Sequence, residues 1–480
     1  MMKSQAFNPY LPSYEYVPDG EPHIFGGRLY VFGSHDAFNG DRFCTNDYVC
    51  WSAPEDDLSD WTFHGVIYRK DQDPMNADNR AMYAPDVAQG PDGRFYLYYT
   101  LDFLGATGVA VADVPEGPYA YYGCVRYADG RTLGMNDGDV FSYDPGLLVD
   151  ADGRIHLYLG VAPGDGPLSR IRDGHRKMEG AYHFELESDM LTIRCGGEMV
   201  APGMELAVGT PYEGHAFFEA SSIRRIGGKY YFIYSSIAGH ELCYASSDRP
   251  EGGFAYGGTL VSIGDIGLNG RTEAEADNYY GNTHGSLICA DGEWYVFYHR
   301  HTNGNQLSRQ GCAEHVEIGA DGRIAQVETT SCGLNRGWLR DEGDYSAAIA
   351  CNLCSAQGAF RYTPRPGRRP EHPYFTQDEP DNDEYSRPYI ANMRNGSWAA
   401  YKYFEMRGSR RLSVRFRTAE GGALSVRAEK DGAELARIEL GAGEGWREAS
   451  AQLPALSGKT ALYFIYQGPG SLDMESFHLA

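Results

Sequence analysis

The sequence predicts an all-β protein: a five-bladed β-propeller followed by a β-sandwich of jelly-roll type. Three observations carry that expectation. A turn followed by an aromatic, alternating strand recurs five times over the first two thirds of the chain. The composition joins 36 tyrosines to 60 glycines in 480 residues, strand formers with turn formers. The C-terminal third carries seven further short alternating runs separated by turn signals.

Taken in order, the repeat reads GGRLYVFGS from Gly26, DGRFYLYYT from Asp92, DGRIHLYLG from Asp152, GGKYYFIYS from Gly227 and DGEWYVFYH from Asp291. Gly-Gly or Asp-Gly before a β-branched, aromatic run is a hairpin signal. Each hairpin is followed by another strand-like stretch: DYVCWSAPE, GVAVADVPEG, AYHFELE, ELCYASSDRP and AEHVEIGADG. About four short strands per interval make one propeller blade. The intervals of 66, 60, 75 and 64 residues exceed those of the commoner propeller repeats, so long loops are expected. Solenoid repeats are shorter, and a sandwich needs no fivefold regularity.

The pattern breaks near residues 331–345, which sets the expected domains at 1–335 and 336–480. Residues 361–384, rich in proline and charge, read as a surface excursion. From Tyr389 strand signals return, with a hairpin turning at Asp431-Gly432. Trp398 and Trp446 could stack on a sugar ring, but a structural tryptophan explains each as well, and the domain is read as packing on the propeller.

A net charge of −24 disfavours nucleic acid and anionic membrane as partners. No apolar run approaches a bilayer span, and the N-terminal stretch has no apolar leader core, so a cytoplasmic location is expected. Of ten cysteines only Cys351 and Cys354 form a CxxC, a weak metal signal; most are expected to be small buried hydrophobes.

Just upstream of each repeat turn lies one ionisable residue: Asp19, Asp86, Asp144, Glu219 and His284, at offsets of six to eight residues. If the first strand of each blade is innermost, all five converge on the channel mouth. Converging carboxylates raise one another's proton affinity and can separate a protonated acid from an ionised base. The flanking motifs PDGEPH, YAPDV, FSYDPG, FFEASS and GNTHGS contain glycine, proline or serine, which bend strands and open backbone to a ligand. A lectin-like propeller that binds sugar without cleaving it is the alternative; it has no need of an acid and a base together.

These segments, with the opening NPYLPSYEYVPDGEPHIFGGRLYVFGSHD, resemble glycoside hydrolase family 43 in order over about residues 8–330. The family's second-blade motif usually has Trp where Tyr83 stands. The resemblance implies an inverting, exo-acting arabinofuranosidase or β-xylosidase acting on oligosaccharides, with no organic cofactor. It implies Asp19 as general base, Glu219 as general acid and Asp144 as the group that tunes and holds Glu219. It also implies a calcium ion in the channel beside His284. Sugar contacts are expected from His35 and Asp36 in SHD, from Asp86 and Phe218, and from Arg309 in SRQG. Phe38, Tyr83 and Phe103 are aromatic candidates that core packing explains equally. The C-terminal run order resembles a carbohydrate-binding module of family 6. Oligomeric state and the choice between arabinofuranoside and xyloside are not legible.

Overall fold

The computed structural model describes residues 5–367 and 371–480, without the side chains of 166–168. The first four residues of the N-terminal stretch and residues 368–370 of the proline-rich segment lie outside the described residues. The protein is all-β. Five antiparallel sheets follow one another, each built from consecutive strands. The first holds Glu21–Phe25, Arg28–Phe32, Tyr48–Pro54 and Thr62–Tyr68; the second Met82–Gln89, Phe95–Leu101, Thr107–Ala112 and Ala120–Cys124. The third holds Gly146–Val149, Ile155–Leu159, Gly180–Leu186 and Ile193–Pro202; the fourth Phe217–Ile226, Lys229–Ser236, Glu241–Ser247 and Ala255–Ser262. The fifth has three strands, Leu287–Ala290, Glu293–His301 and Arg309–Val316.

Each of the five repeat turns joins the first strand of its sheet to the second, as in the pairs Phe25 with Arg28 and Ile226 with Lys229. The second strands are near-continuous apolar runs, such as FYLYYTL, because neighbouring sheets cover both their faces. Last strands such as Thr62–Tyr68 are largely open to water and carry mixed residues.

The first strands pack on one another in succession: Glu21–Phe25 on Met82–Gln89, that strand on Gly146–Val149, and that in turn on Phe217–Ile226. Glu21–Phe25 also packs on Leu287–Ala290 of the fifth sheet. A separate hydrophobic core lies between each sheet and the next. A further core, with Val31, Trp51, Tyr295 and Phe297, joins the fifth sheet to the first. The N-terminal segment ties off the fifth sheet's outer edge: Tyr10 N–H donates to Gly311 O at 3.2 Å and Asn8 Nδ2 to Ala313 O at 2.9 Å.

The remaining strands form two six-stranded sheets around one core, which includes Leu424 and Phe464 from one sheet and Val414 and Phe477 from the other. All seven alternating runs become strands. Five shorter strands precede them (Leu339–Arg340, Gly343–Ser346, Asn352–Cys354, Tyr374–Thr376 and Tyr389–Met393), too short to show a period in sequence. Trp398 is buried against Tyr463, while Trp446 lies against the Arg417 guanidinium.

The proline-rich segment is only partly the surface excursion expected. Residues 363–367 and Glu371 are exposed, but His372 and Phe375 are buried, and Asn303 N–H donates to Phe375 O at 2.7 Å. The Arg300 guanidinium lies 4.2 Å from the Phe375 ring centre, so PYFT lids a buried charge that the repeats leave uncovered.

None of the ten cysteines forms a disulfide, and seven are buried. Cys351 Sγ faces Ala400 O and Cys354 Sγ faces Ala276 O, so the CxxC thiols turn to different carbonyls. Among the described residues no helix is long and apolar enough to cross a membrane.

Candidate active site

Residues from all five sheets meet at one cavity of about 300 Å³. Asp19, Asp144, Glu219, Phe218, His284 and Arg309 line it, with Tyr83 and Ala84 from the second sheet. Strand irregularity aims them. In Phe217–Ile226 the pairing slips on either side of Glu219, and Ala220 adopts φ +71°. In Met82–Gln89 it slips between Tyr83 and Asp86, where Pro85 cannot donate to a ladder. Asp19 and Asp144 also sit at positive φ, +57° and +43°. Backbone strain of this kind, about 1–3 kcal/mol per residue, persists where the surroundings hold it.

Asp144 Oδ2 accepts the Ala220 N–H at 3.0 Å, locking the bulge that carries Glu219. That contact needs two strands at close range. Gly146 permits it, because a Cβ there would lie 2.4 Å from Ser221 O.

Arg309 is the hub of the opposite wall. Its backbone N–H and Nε donate to Asp36 Oδ2 at 3.0 and 2.8 Å, and Nη2 donates to Asp36 Oδ1 at 2.9 Å. This fork leaves Nη1 to donate to Asp19 Oδ1 at 3.0 Å. His299 stands behind: Nε2 faces the Asn282 carbonyl at 3.0 Å, so in the neutral ring Nε2 donates and Nδ1 accepts the Asp19 N–H at 3.4 Å. Burial keeps His299 neutral by lowering its proton affinity.

These surroundings push the carboxyls apart. Burial opposes the charge on Asp19, but Arg309 together with the His299 and His284 imidazoles outweighs it and holds Asp19 far below the usual carboxylate range. Burial, with the charge of Asp19, pushes Glu219 from its ordinary 4.5 up to about 8. Burial, then the charges of Glu219 and Asp19, raise Asp144 as well. At neutral pH the cavity therefore sets an ionised Asp19 against a protonated Glu219. Asp19 and Asp144 are 5% and 3% exposed, whereas Glu219 keeps some contact with solvent. The ionised group is thus less exposed than the protonated one.

His284 lies with Nδ1 3.7 Å from Asp144 Oδ2; burial lowers it to about 4, which leaves it neutral. Its Nε2 is buried and has no hydrogen-bond partner among the described residues.

His35, Asp36 and Asp86, read from sequence as sugar contacts, do not line the cavity. His35 Nδ1 pairs with Asp47 O at 2.8 Å, and Asp36 is spent on Arg309. Asp86 lies two residues, about 7 Å of strand, beyond Ala84. There it bonds His23 Nε2 at 2.6 Å and accepts the Leu147 N–H at 2.7 Å, stitching three sheets together. Tyr83 and Phe103 do line the cavity; Phe38 does not and rests on Tyr16.

The sequence reading missed His299, Asn282, Gln306 and Pro364. His299 and His301 had a signal: two histidines at alternate positions of one strand share a face. Pro364 had none. It reaches the rim from the C-terminal third, where Gln306 Nε2 donates to Tyr362 O and Gln306 N–H to Thr363 O at 3.2 Å.

The profile of the family described as Glycosyl hydrolases family 43 matches residues 23–324. A xylosidase/arabinosidase of Thermoclostridium stercorarium is 47% identical over 481 residues, covering 100% of this chain and 99% of its own length. A solved β-xylosidase/α-arabinofuranosidase from a compost microbial metagenome, in complex with xylotriose and described as a calcium-free form, is 25% identical at a TM-score of 0.52. It matches 68% of this chain and 98% of its own. A family 43 arabinoxylan arabinofuranohydrolase of Bacillus subtilis, solved with cellotetraose, is 21% identical and covers 98% of this chain and 97% of its own at a TM-score of 0.52, a likeness of fold.

Proposed function

The chain belongs to glycosyl hydrolase family 43, and from that premise we propose that it is an inverting, exo-acting glycosidase. In this reading it releases terminal α-L-arabinofuranosyl and/or β-D-xylosyl units from xylan- or arabinan-derived oligosaccharides. The five sheets are the blades of a propeller over residues 1–335, and residues 336–480 form a jelly-roll sandwich that resembles a family 6 carbohydrate-binding module. The observation that carries the chemistry is the pair of carboxyls with opposite proton affinities in one cavity, Asp19 ionised and Glu219 protonated.

Asp19 is the general base. It takes a proton from a water whose oxygen attacks the anomeric carbon, while Glu219 gives its proton to the glycosidic oxygen as the C–O bond breaks. The sugar leaves with inverted configuration, and solvent returns the two carboxyls to their starting states. Inversion calls for roughly 6.5–9.5 Å between the carboxyls. The transition state places positive charge on the sugar, so a base weakened by Arg309 suffices, and its fixed negative charge faces that carbon. Asp144 positions the acid through the Ala220 N–H, and the like charges of the two carboxyls oppose one another, which is how Asp144 tunes the titration of Glu219 in this reading. Phe218 and Arg309 are the expected sugar contacts that line the cavity.

The unpartnered imidazole nitrogen of His284 suits a hydrated cation in the channel. Calcium takes six to eight oxygens, so an ion here keeps water for most of its ligands and supports the fold of the site. Melting with and without a chelator reads it; an unchanged melting temperature, with no calcium found on the purified protein, rejects the ion.

The test is turnover of p-nitrophenyl α-L-arabinofuranoside and p-nitrophenyl β-D-xyloside, with the first-formed anomer read by proton NMR. Release from at least one, with inversion, is expected. Initial retention rejects the mechanism. Glu219→Ala should lose more activity on natural oligosaccharides than on aryl glycosides, whose leaving groups need little protonation. Equal losses would remove Glu219 from the role of acid.

A further inference from the structure

Asp19 and Asp144 are buried in the cavity lining, whereas Glu219 keeps contact with solvent. Under the hydrolase reading the acid faces the leaving oxygen, so the sugar that departs lies between Glu219 and the open end. Phe103 belongs to the solvent-facing part of the lining. It lines the cavity and is 47% exposed. Among the described residues it is the one strongly exposed large apolar side chain that does so.

Its ring is not loose. It meets Tyr83 edge-on at 6.4 Å and 89°, and Tyr83 meets Tyr143 at 5.8 Å and 69°. The backbone at Phe103 holds φ +49°, a conformation L-residues seldom adopt. Both flanks are pinned: Asp102 N–H donates to Ala81 O at 2.9 Å, and Leu104 N–H to Leu101 O at 3.0 Å. Arg176 Nη1 donates to Leu104 O at 2.9 Å. A strained backbone that holds a phenyl ring in water is unfavourable for the empty protein. It is offset once an apolar ligand face covers the ring.

We propose that Phe103 is the platform for the leaving-group sugar, a xylosyl pyranose ring of the oligosaccharide, lying C–H face down on the phenyl ring. The inference rests on the hydrolase reading and adds the binding place of the part of the substrate that is not cleaved. The flat apolar face of a pyranose matches a phenyl ring. The ring that reacts lies deeper, among carboxylates.

The experiment compares wild type, Phe103→Ala and Phe103→Trp on a xylo-oligosaccharide and on the methyl glycoside of the same terminal sugar. The methyl group is too small to reach the platform. For Phe103→Ala the ratio of kcat/KM, oligosaccharide over methyl glycoside, should fall about tenfold, and Phe103→Trp should restore it. An unchanged ratio overturns the proposal, as does an equal loss on both substrates. Wild type that cleaves neither substrate fails the hydrolase reading instead. The platform is then read by calorimetric titration of xylotriose into Glu219→Gln and into Glu219→Gln/Phe103→Ala. A weaker Kd for the double variant supports it, and equal values overturn it.

Discussion

Replacing Glu219 by glutamine should make the protein more stable at alkaline pH while abolishing turnover of natural substrates. Burial and the charge of Asp19 hold the Glu219 proton to about pH 8 in the folded state, against 4.5 in the unfolded chain. Between those values the folded state binds one proton more than the unfolded state. Wild-type stability therefore falls as pH rises through that window, by about 1.4 kcal/mol per pH unit. The whole window is worth about 5 kcal/mol, and solvent contact at Glu219 reduces this to roughly 2–3 kcal/mol. Glutamine cannot ionise, so the variant lacks this slope. The stability difference between variant and wild type should be small below pH 4.5 and grow to its full value by pH 9. It would appear as a relative gain in Tm of about 4–6 °C for a domain of this size. Taking the difference cancels the opposite slope that Asp19 adds at low pH, where protonation of its depressed carboxyl costs stability in both proteins. Chemical or thermal denaturation of both proteins at pH 4 and pH 9 reads the effect. A difference that does not change with pH would mean that Glu219 ionises as an ordinary glutamate, and the acid–base assignment would lose its physical basis.

Two further substitutions probe the scaffold of the site. Gly146→Ala places a methyl group 2.4 Å from Ser221 O, so the strands must part and the Asp144–Ala220 hydrogen bond is lost. A loss of about 1–3 kcal/mol in stability is expected, with kcat reduced more than KM changes; unaltered melting and kinetics would refute the account of the close approach. Asp36→Asn leaves one acceptor oxygen for three Arg309 donors and removes the charge opposite the guanidinium. A charged hydrogen bond is worth about 1.5–3 kcal/mol, so kcat should fall 10- to 100-fold and Asp36→Glu should recover part of it; wild-type kinetics in Asp36→Asn would show that Arg309 holds Asp19 without this clamp.

The repeating turn and its aromatic strand were enough to place five hairpins, because both signals are local: a turn residue beside an alternating run forms a hairpin wherever it occurs. The same locality explains why Asp19, Asp144, Glu219, Phe218, His284 and Arg309, read from the repeat and its motifs, come together, since their strands or strand ends reach the cavity. It also explains why Asp86 and Asp36 fall outside the lining. Asp86 stands at an offset two residues short of Asp144 and Glu219, and the period of a strand does not say how deep along the channel a residue falls. Asp36 is an acidic residue beside the site by sequence, yet only the fold reveals that its oxygens are consumed by Arg309.

What the chain alone determined is which residues carry charge and that each precedes a hairpin. What the tertiary structure decided is their protonation. Asp19 and Glu219 are both ordinary carboxylic acids in an unfolded chain. Burial opposes ionisation of both, and they part only when Arg309 and the neighbouring imidazoles offset it at Asp19 while the charge of Asp19 adds to it at Glu219. Electrostatic energy depends on distance and on exposure to water, and neither is written in the order of residues. The same holds for Pro364, which reaches the rim because a core formed far away in sequence holds its segment against Gln306.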